Sequence, residues 1–207
     1  MKKRIVILGA NGFIGTSIIE KLQEDFTDIK KLTSKDCDLL DSSSVSILQN
    51  LIQDEDIFIF AAAKAPVKNW YMFETNMYMV KNLIQGLQGK KINYLLNISS
   101  DAVYSDSDVK INENSQTIPD SPHGYMHFVR ETMINKNFNF PIGHIRPTLV
   151  FGENDPHNGY GPNMFLRLAK KGENILLFGQ GEELRDHIYV KDVAEIASCM
   201  MLFQQHL

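Results

Sequence analysis

Cysteine is scarce. Cys37 and Cys199 are the two in 207 residues, too few for a disulfide framework or a zinc knuckle, and they read as incidental thiols in a reducing compartment. Long hydrophobic runs are missing as well. The longest covers residues 57–63, far below the roughly 20 residues that cross a bilayer. The opening Lys2-Lys3-Arg4 and Ile5-Val6-Ile7-Leu8 imitate a secretion signal, but four apolar residues fall short of the roughly 7–15 in a signal core. A cytoplasmic location is expected. Nor is there a basic excess. Lys and Arg number 21 against 25 Asp and Glu, a formal charge of −4, so nucleic acid and anionic membrane are not expected as partners. What is present is an ordinary globular composition, 43% hydrophobic and 22% charged, which excludes disorder, collagen and coiled coil. The length suits one large domain or one and a fraction.

Short β-rich runs alternate with stretches of helical period. Residues 4–8, 57–61 and 93–98 are the continuous apolar runs of strands buried on both faces, 29–32 is a weaker strand, and 143–146 is a fifth closed by Pro147. Helices are expected over 13–24, 42–52 (capped by Asp41 or Ser42), 69–87 (stopped by Gly89) and 123–135. The alternation implies crossover units and a parallel sheet covered on both faces, a doubly wound α/β fold. Residues 151–162 then break the pattern with Gly152, Pro156, Gly159, Gly161 and Pro162, a long loop of the kind that is usually functional. A helix near 164–171, a short strand at 175–178 and a last helix from Val190 complete the reading.

The strongest feature is Gly9-Ala10-Asn11-Gly12-Phe13-Ile14-Gly15, between the first strand and the first helix. Glycines there allow a tight turn and a close backbone approach to a pyrophosphate, while the helix start supplies amide donors. A dinucleotide is the expected ligand. The spacing, Gly-x-x-Gly-x-x-Gly, resembles the short-chain dehydrogenase/reductase superfamily. Further segments resemble its extended branch: Ala61-Ala62-Ala63, Asn76, Ser99-Ser100-Asp101-Ala102-Val103-Tyr104, Arg146-Pro147, Gly161-Pro162-Asn163, Gly179-Gln180-Gly181 and the run from Arg185 through Asp186-His187-Ile188-Tyr189 to Asp192-Val193. That branch is the NAD-dependent epimerase/dehydratase family, and the match follows its order over essentially the whole chain.

The resemblance implies a Rossmann-like domain over 1–150, a small, incomplete second lobe over 151–184, and a return to the first domain over 185–207. It implies an NAD(P)-dependent oxidoreductase or epimerase/dehydratase acting on a nucleotide-activated sugar. Gly9, Asn11, Gly12, Phe13, Ile14, Gly15, Asp38, Leu39, Ala61, Ala62, Ala63 and Pro147 would contact the cofactor, with Asp38 and Leu39 flanking the adenine. Ser100 would bond the sugar oxygen under attack. Asp101, Asn163 and Arg185 would hold the substrate, the guanidinium on its diphosphate.

One departure stands out. The family's Tyr and Lys lie four residues apart on one helix. Here Pro122, Gly124 and Glu131 set a register that puts His123 at the Tyr position and His127 at the Lys position, while Tyr125 is followed four residues on by Val129. Three readings are open. His123 could be the general acid/base, with His127 one turn on holding the ribose. The site could have lost its redox chemistry and kept binding alone, as a nucleotide-binding regulator. His123, His127 and Glu131 could hold a metal, though two imidazoles are a weak signal and no metal is expected. The end of the second strand, Leu32-Thr33-Ser34-Lys35 with Asp36 and Asp38 slightly late, leaves NAD and NADP open with a lean to NAD. Family members usually continue for roughly a hundred further residues, so either a truncated chain or a reduced pocket is expected. A homodimer is expected through Tyr71, Met72, Phe73, Met77, Tyr78 and Met79 on one helix and Met126, Phe128 and Met133 on another.

Overall fold

Alternate residues of a strand face opposite sides of its sheet, and in the central strands of this chain both sets are apolar. The computed structural model describes residues 3–105, 110–156, 161–177, 179–182 and 184–204. In it β1 (Ile5–Leu8), β2 (Ile29–Leu32), β3 (Ile57–Phe60), β4 (Tyr94–Ile98) and β5 (Ile142–Ile145) form one parallel sheet in the order β2-β1-β3-β4-β5. Ile5, Ile7, Ile57, Ile59, Leu96 and Ile98 face one side, against Ile18, Ile19 and Leu22 of α1 (Phe13–Leu22). Val6, Leu8, Phe58, Phe60 and Leu95 face the other, against Leu48 of α2 (Ser43–Leu51), Val80, Leu83 and Leu87 of α3 (Trp70–Leu87) and Ile134 of α4 (Pro122–Asn137). Each fully buried aliphatic or aromatic side chain stabilises this sandwich by about 1.5–3 kcal/mol. The expected doubly wound α/β architecture is the one observed.

Helix starts follow local chemistry. The Asn69 side chain accepts from Met72 N at 2.9 Å, and Ser121 Oγ accepts from Gly124 N at 3.1 Å, with Pro122 in the first turn. For α2 the carboxylate of Asp41 accepts from Ser43 N at 2.9 Å, whereas Ser42 makes no side-chain cap bond.

Beyond β5 the chain leaves the sheet. β6 (Leu149–Phe151) and β7 (His187–Tyr189) pair in parallel with one another, and α5 (Pro162–Lys171) lies between them in sequence. The segment 187–190 does not enter the main sheet. Instead β7 pairs with β6, and α6 (Val190–Gln204) supplies Val193, Ala194, Ala197 and Met201 to the α1 face of the core. The strand expected at 175–178 is not formed over 175–177, and Phe178 lies outside the described residues. Its apolar character has a different expression: Leu176 is 82% exposed, and no described strand lies beside it to pair with. Among the described residues no helix is long and apolar enough to cross a membrane. Of the side chains expected at a dimer face, Met79 and Met126 are buried in the chain's own core while Tyr71 and Tyr78 stay exposed.

Candidate functional site

In a parallel sheet every loop leaving the carboxyl end of a strand lies on one edge. β1 has β2 on one side and β3 on the other, so the chain changes direction there and opens a crevice at the ends of β1 and β3. The loop after β1 and the start of α1 carry residues 9–15, the loop after β3 carries Ala61, Ala62 and Ala63, the turn after β4 carries Ser99, Ser100 and Asp101, and Pro147 follows β5. The fold thus brings most of the expected site residues to one edge.

The glycine loop is packed to the backbone. Gly9 has φ +99°, and a Cβ there would lie 2.6 Å from Ala62 N. A Cβ on Gly15 would collide with the Gly9 carbonyl, which also accepts from Gly12 N at 3.0 Å. Gly12 caps α1 without a side chain, so the first-turn amides have neither an intrahelical acceptor nor a capping oxygen. Such amides, with the helix dipole behind them, are anion donors. On the neighbouring loop Asn76, buried, accepts from Lys64 N and donates to Lys64 O, each at 3.0 Å, which fixes the chain just after Ala63.

At the β2 end, Asp36 Oδ2 accepts from Thr33 N at 2.9 Å and from Thr33 Oγ1 at 2.7 Å. These bonds hold its carboxyl below the usual range. Leu39 is buried and Asp38 is exposed, its Oδ1 accepting from Leu40 N.

Ser100 caps a short turn, Asp101–Val103, accepting from Ala102 N at 3.2 Å and donating to Asp101 Oδ1 at 3.1 Å. The start of α4 presses on this turn, because a Cβ on Gly124 would collide with the Ala102 carbonyl. Gly124→Ala is therefore expected to destabilise the fold by about 1–3 kcal/mol through overpacking, read as a lower urea midpoint at unchanged slope. A midpoint equal to the parent's would show that the turn yields.

His123, half-buried, accepts at Nδ1 from Val67 N at 3.4 Å, which leaves the hydrogen of a neutral ring on Nε2. Its ring meets that of His127 edge to face, centroids 4.7 Å apart. His127 is 4% exposed, and its Nδ1 has no partner among the described residues. Burial first, then the charge of Arg130 and the His123 ring, push its pKa down to about 2, so it is neutral at working pH. Tyr125 is 51% exposed.

On the same helix Arg130 was missed as a site residue, and Glu131 was weighed only as a metal ligand. Arg130 is 1% exposed and donates from Nε to Asn97 Oδ1 at 2.7 Å and from its two terminal nitrogens to the Ala62 and Phe60 carbonyls at 3.0 Å each. Its guanidinium also lies over the Phe60 ring at 3.7 Å. Glu131 accepts from Ser99 Oγ at 2.5 Å and takes Arg146 in both oxygens, at 3.0 and 2.7 Å. A carboxylate so occupied has little left for a metal, and among the described residues no group of three or more His, Cys, Asp or Glu could hold one. The usable signal was spacing: 123, 127, 130 and 131 fall on one helix face.

Asn163 lies in the first turn of α5, and Arg185 lies just ahead of β7. Asn163 Nδ2 donates to Asp155 Oδ2 at 2.9 Å. Arg185 lines a cavity with Leu149, Phe165, Leu176, Leu184 and His187. Ser100, His123 and His127 are not in its lining.

The family model described as NAD dependent epimerase/dehydratase matches residues 5–206. A Methanocaldococcus jannaschii protein described as a UDP-glucose 4-epimerase is 26% identical over 92% of this chain and 71% of its own length. The N-acetyl-alpha-D-glucosaminyl-diphospho-ditrans,octacis-undecaprenol 4-epimerase of Escherichia coli O157:H7 is 24% identical, over 94% of this chain and 62% of its own. Among solved structures, a UDP-N-acetylglucosamine 4-epimerase from Bacillus cereus superposes with a TM-score of 0.81 at 23% identity, covering 98% of this chain and 72% of that one. At that identity the superposition speaks for the fold alone.

Proposed function

The chain belongs to the NAD dependent epimerase/dehydratase family, and from that premise we propose that it is an NAD(P)-dependent oxidoreductase or epimerase/dehydratase acting on a nucleotide-activated sugar. What supports the reading is the sheet edge at the ends of β1 and β3, where Gly12 leaves the first-turn amides of α1 without a side-chain cap. The residues fit a dinucleotide. Amides of the first turn of α1 would take the pyrophosphate, Leu39 and Asp38 would flank the adenine, and Ala61, Ala62 and Ala63 would line the path between. When bound, the nicotinamide accepts a hydride from the sugar carbon or returns it. Asp36, held charged at the β2 tip, favours a ribose hydroxyl over a 2′-phosphate, and so NAD over NADP.

The chain's own chemistry would then be proton handling. Ser100 Oγ would orient the sugar oxygen, with Asp101 accepting from it as it now does at 3.1 Å. His123 would switch tautomer, its hydrogen moving to Nδ1 as that atom gives up the long contact with Val67 N, so that the bare Nε2 takes the sugar hydroxyl proton, forming imidazolium, and later returns it. His127 Nδ1 would meet a ribose hydroxyl of the cofactor. Asn163 and Arg185 would hold the diphosphate of the substrate from the smaller lobe.

A panel of nucleotide sugars incubated with NAD is the test. Product or a substrate-dependent change in nicotinamide absorbance is expected with at least one; binding throughout without turnover would overturn the enzyme reading in favour of a nucleotide-binding regulator. Within the same panel, His127→Ala is expected to weaken dinucleotide binding about 5–10-fold, the size of one hydrogen bond, by calorimetric titration. An unchanged affinity would remove His127 from the cofactor's contacts.

A further inference from the structure

Arg130 is unusual among the buried residues of this chain. Its nitrogens donate to three acceptors, and all three are neutral: one amide oxygen and two backbone carbonyls. Burial pulls its pKa down to about 9, still well above neutrality, so the guanidinium stays charged. The carboxylate beside it, Glu131, is bonded to Arg146 and Ser99. One carboxylate thus faces two guanidiniums, and a positive charge is left over. Other titratable groups on the packed elements include His144 on β5, Asp101 and Tyr104 on the turn after β4, Lys64 after β3, Glu74 and Lys81 on α3, and the two imidazoles of α4. His144 accepts at Nδ1 from Asn97 Nδ2 at 3.1 Å, and burial first of all holds its pKa below the ordinary value. Tyr104 Oη accepts from Arg146 at 2.6 Å.

This charge sits at the carboxyl end of β3, bonded to the carbonyl of Ala62, in the segment that lines the crevice. We propose that Arg130 is the fixed cation of the site and that it favours the uncharged, reduced nicotinamide over the cationic, oxidised one. The inference rests on the cofactor reading above. Hydride transfer moves two electrons and one proton from the sugar carbon to the ring and cancels the ring's positive charge. A buried cation nearby, poorly screened, makes that cancellation more favourable. Arg130 is then a positioning residue that also tunes the hydride equilibrium, without touching the reacting atoms.

The measurement is the affinity of the chain, without substrate, for NAD+ and for NADH. In Arg130→Gln the ratio Kd(NAD+)/Kd(NADH) is expected to fall about tenfold, the scale of one unit charge acting through a partly buried path. Arg130→Lys keeps the charge and should keep the ratio, even where both affinities weaken. A purely structural clamp would weaken both forms alike in each variant and leave the ratio unmoved, which overturns the inference. Where Arg130→Gln does not fold, Asn97→Asp decides: it leaves the arginine in place and sets a carboxylate on its Nε, and the ratio should fall in the same direction. A parent chain that binds neither dinucleotide overturns the functional reading together with this one; binding with an unmoved ratio overturns this one alone.

Discussion

His123→Ala is expected to lower turnover of the nucleotide sugar by about 10²–10⁴ while dinucleotide affinity stays within a few-fold of the parent's. The size is that of a general acid/base removed from an otherwise intact site. Three features support the choice of residue. Gly124, closed against the Ala102 carbonyl, fixes the start of α4 against the turn that carries Ser100. The His123 ring is half-buried and accepts from Val67 N in the loop after β3, the loop that carries Ala61, Ala62 and Ala63. Tyr125, two positions on, is half-exposed. The rival outcome is concrete. If Tyr125→Phe abolishes turnover and His123→Ala does not, the phenol performs the chemistry and the register of α4 against the family pattern is two residues off.

The neutral state of His127 adds a second reading of the same experiment. Because its pKa is pushed down to about 2, chiefly by burial, His127 is neutral at neutral pH. Any limb near neutrality in the pH profile of kcat/KM then belongs to another group. His127→Gln should leave the position of such a limb unchanged, whereas His123→Gln should remove it if His123 is the proton carrier.

The parts of this fold that could be read from the chain are those where burial acts on both faces at once. β1 and β3 are four apolar residues each, every one buried, and runs that short bounded by turn residues suit strands buried on both faces. The cap of α2 was legible for a local reason, as the Asp41 carboxylate and the Ser43 amide are two residues apart. β6 and β7 were not, because three-residue strands carry no period and their pairing joins positions nearly forty apart in sequence. The expected strand at 175–178 failed on the same ground: an apolar run has a strand's composition, but only a partner makes it one. α4 hid its role most completely. A helix that buries His127, Arg130 and Glu131 beside Met126 and Ile134 has no clean apolar stripe, so polarity at those positions looks like a solvated face. Only the tertiary partners, Asn97, Ala62, Ser99 and Arg146, show that these charges lie inside.

Glu131→Gln is the substitution expected to cost most in stability, about 3 kcal/mol at neutral pH. Breaking a buried ion pair by neutralising one side costs about 3–5 kcal/mol, since the remaining charge keeps its desolvation penalty and loses its partner. The low end applies here because the Arg146 side chain is 24% exposed and can recover some water, while that of Glu131 is 5% exposed. The glutamine still fills the space and can accept from Ser99, so the loss is chiefly that of charge. It should also depend on pH in a defined sense. Burial pushes the Glu131 carboxyl up, but its bonds to Arg146 and Ser99 outweigh that and hold it below its ordinary value. A carboxyl whose folded pKa is depressed contributes stability that is complete above the unfolded pKa, about 4.3, and is lost as pH falls through the folded value. Urea denaturation at pH 7 should therefore separate parent and variant by the full amount, and the gap should narrow steadily below about pH 4. A gap that stays constant into acid would mean that what Glu131 contributes is shape and packing, and that Arg146 finds its counter-charge in water.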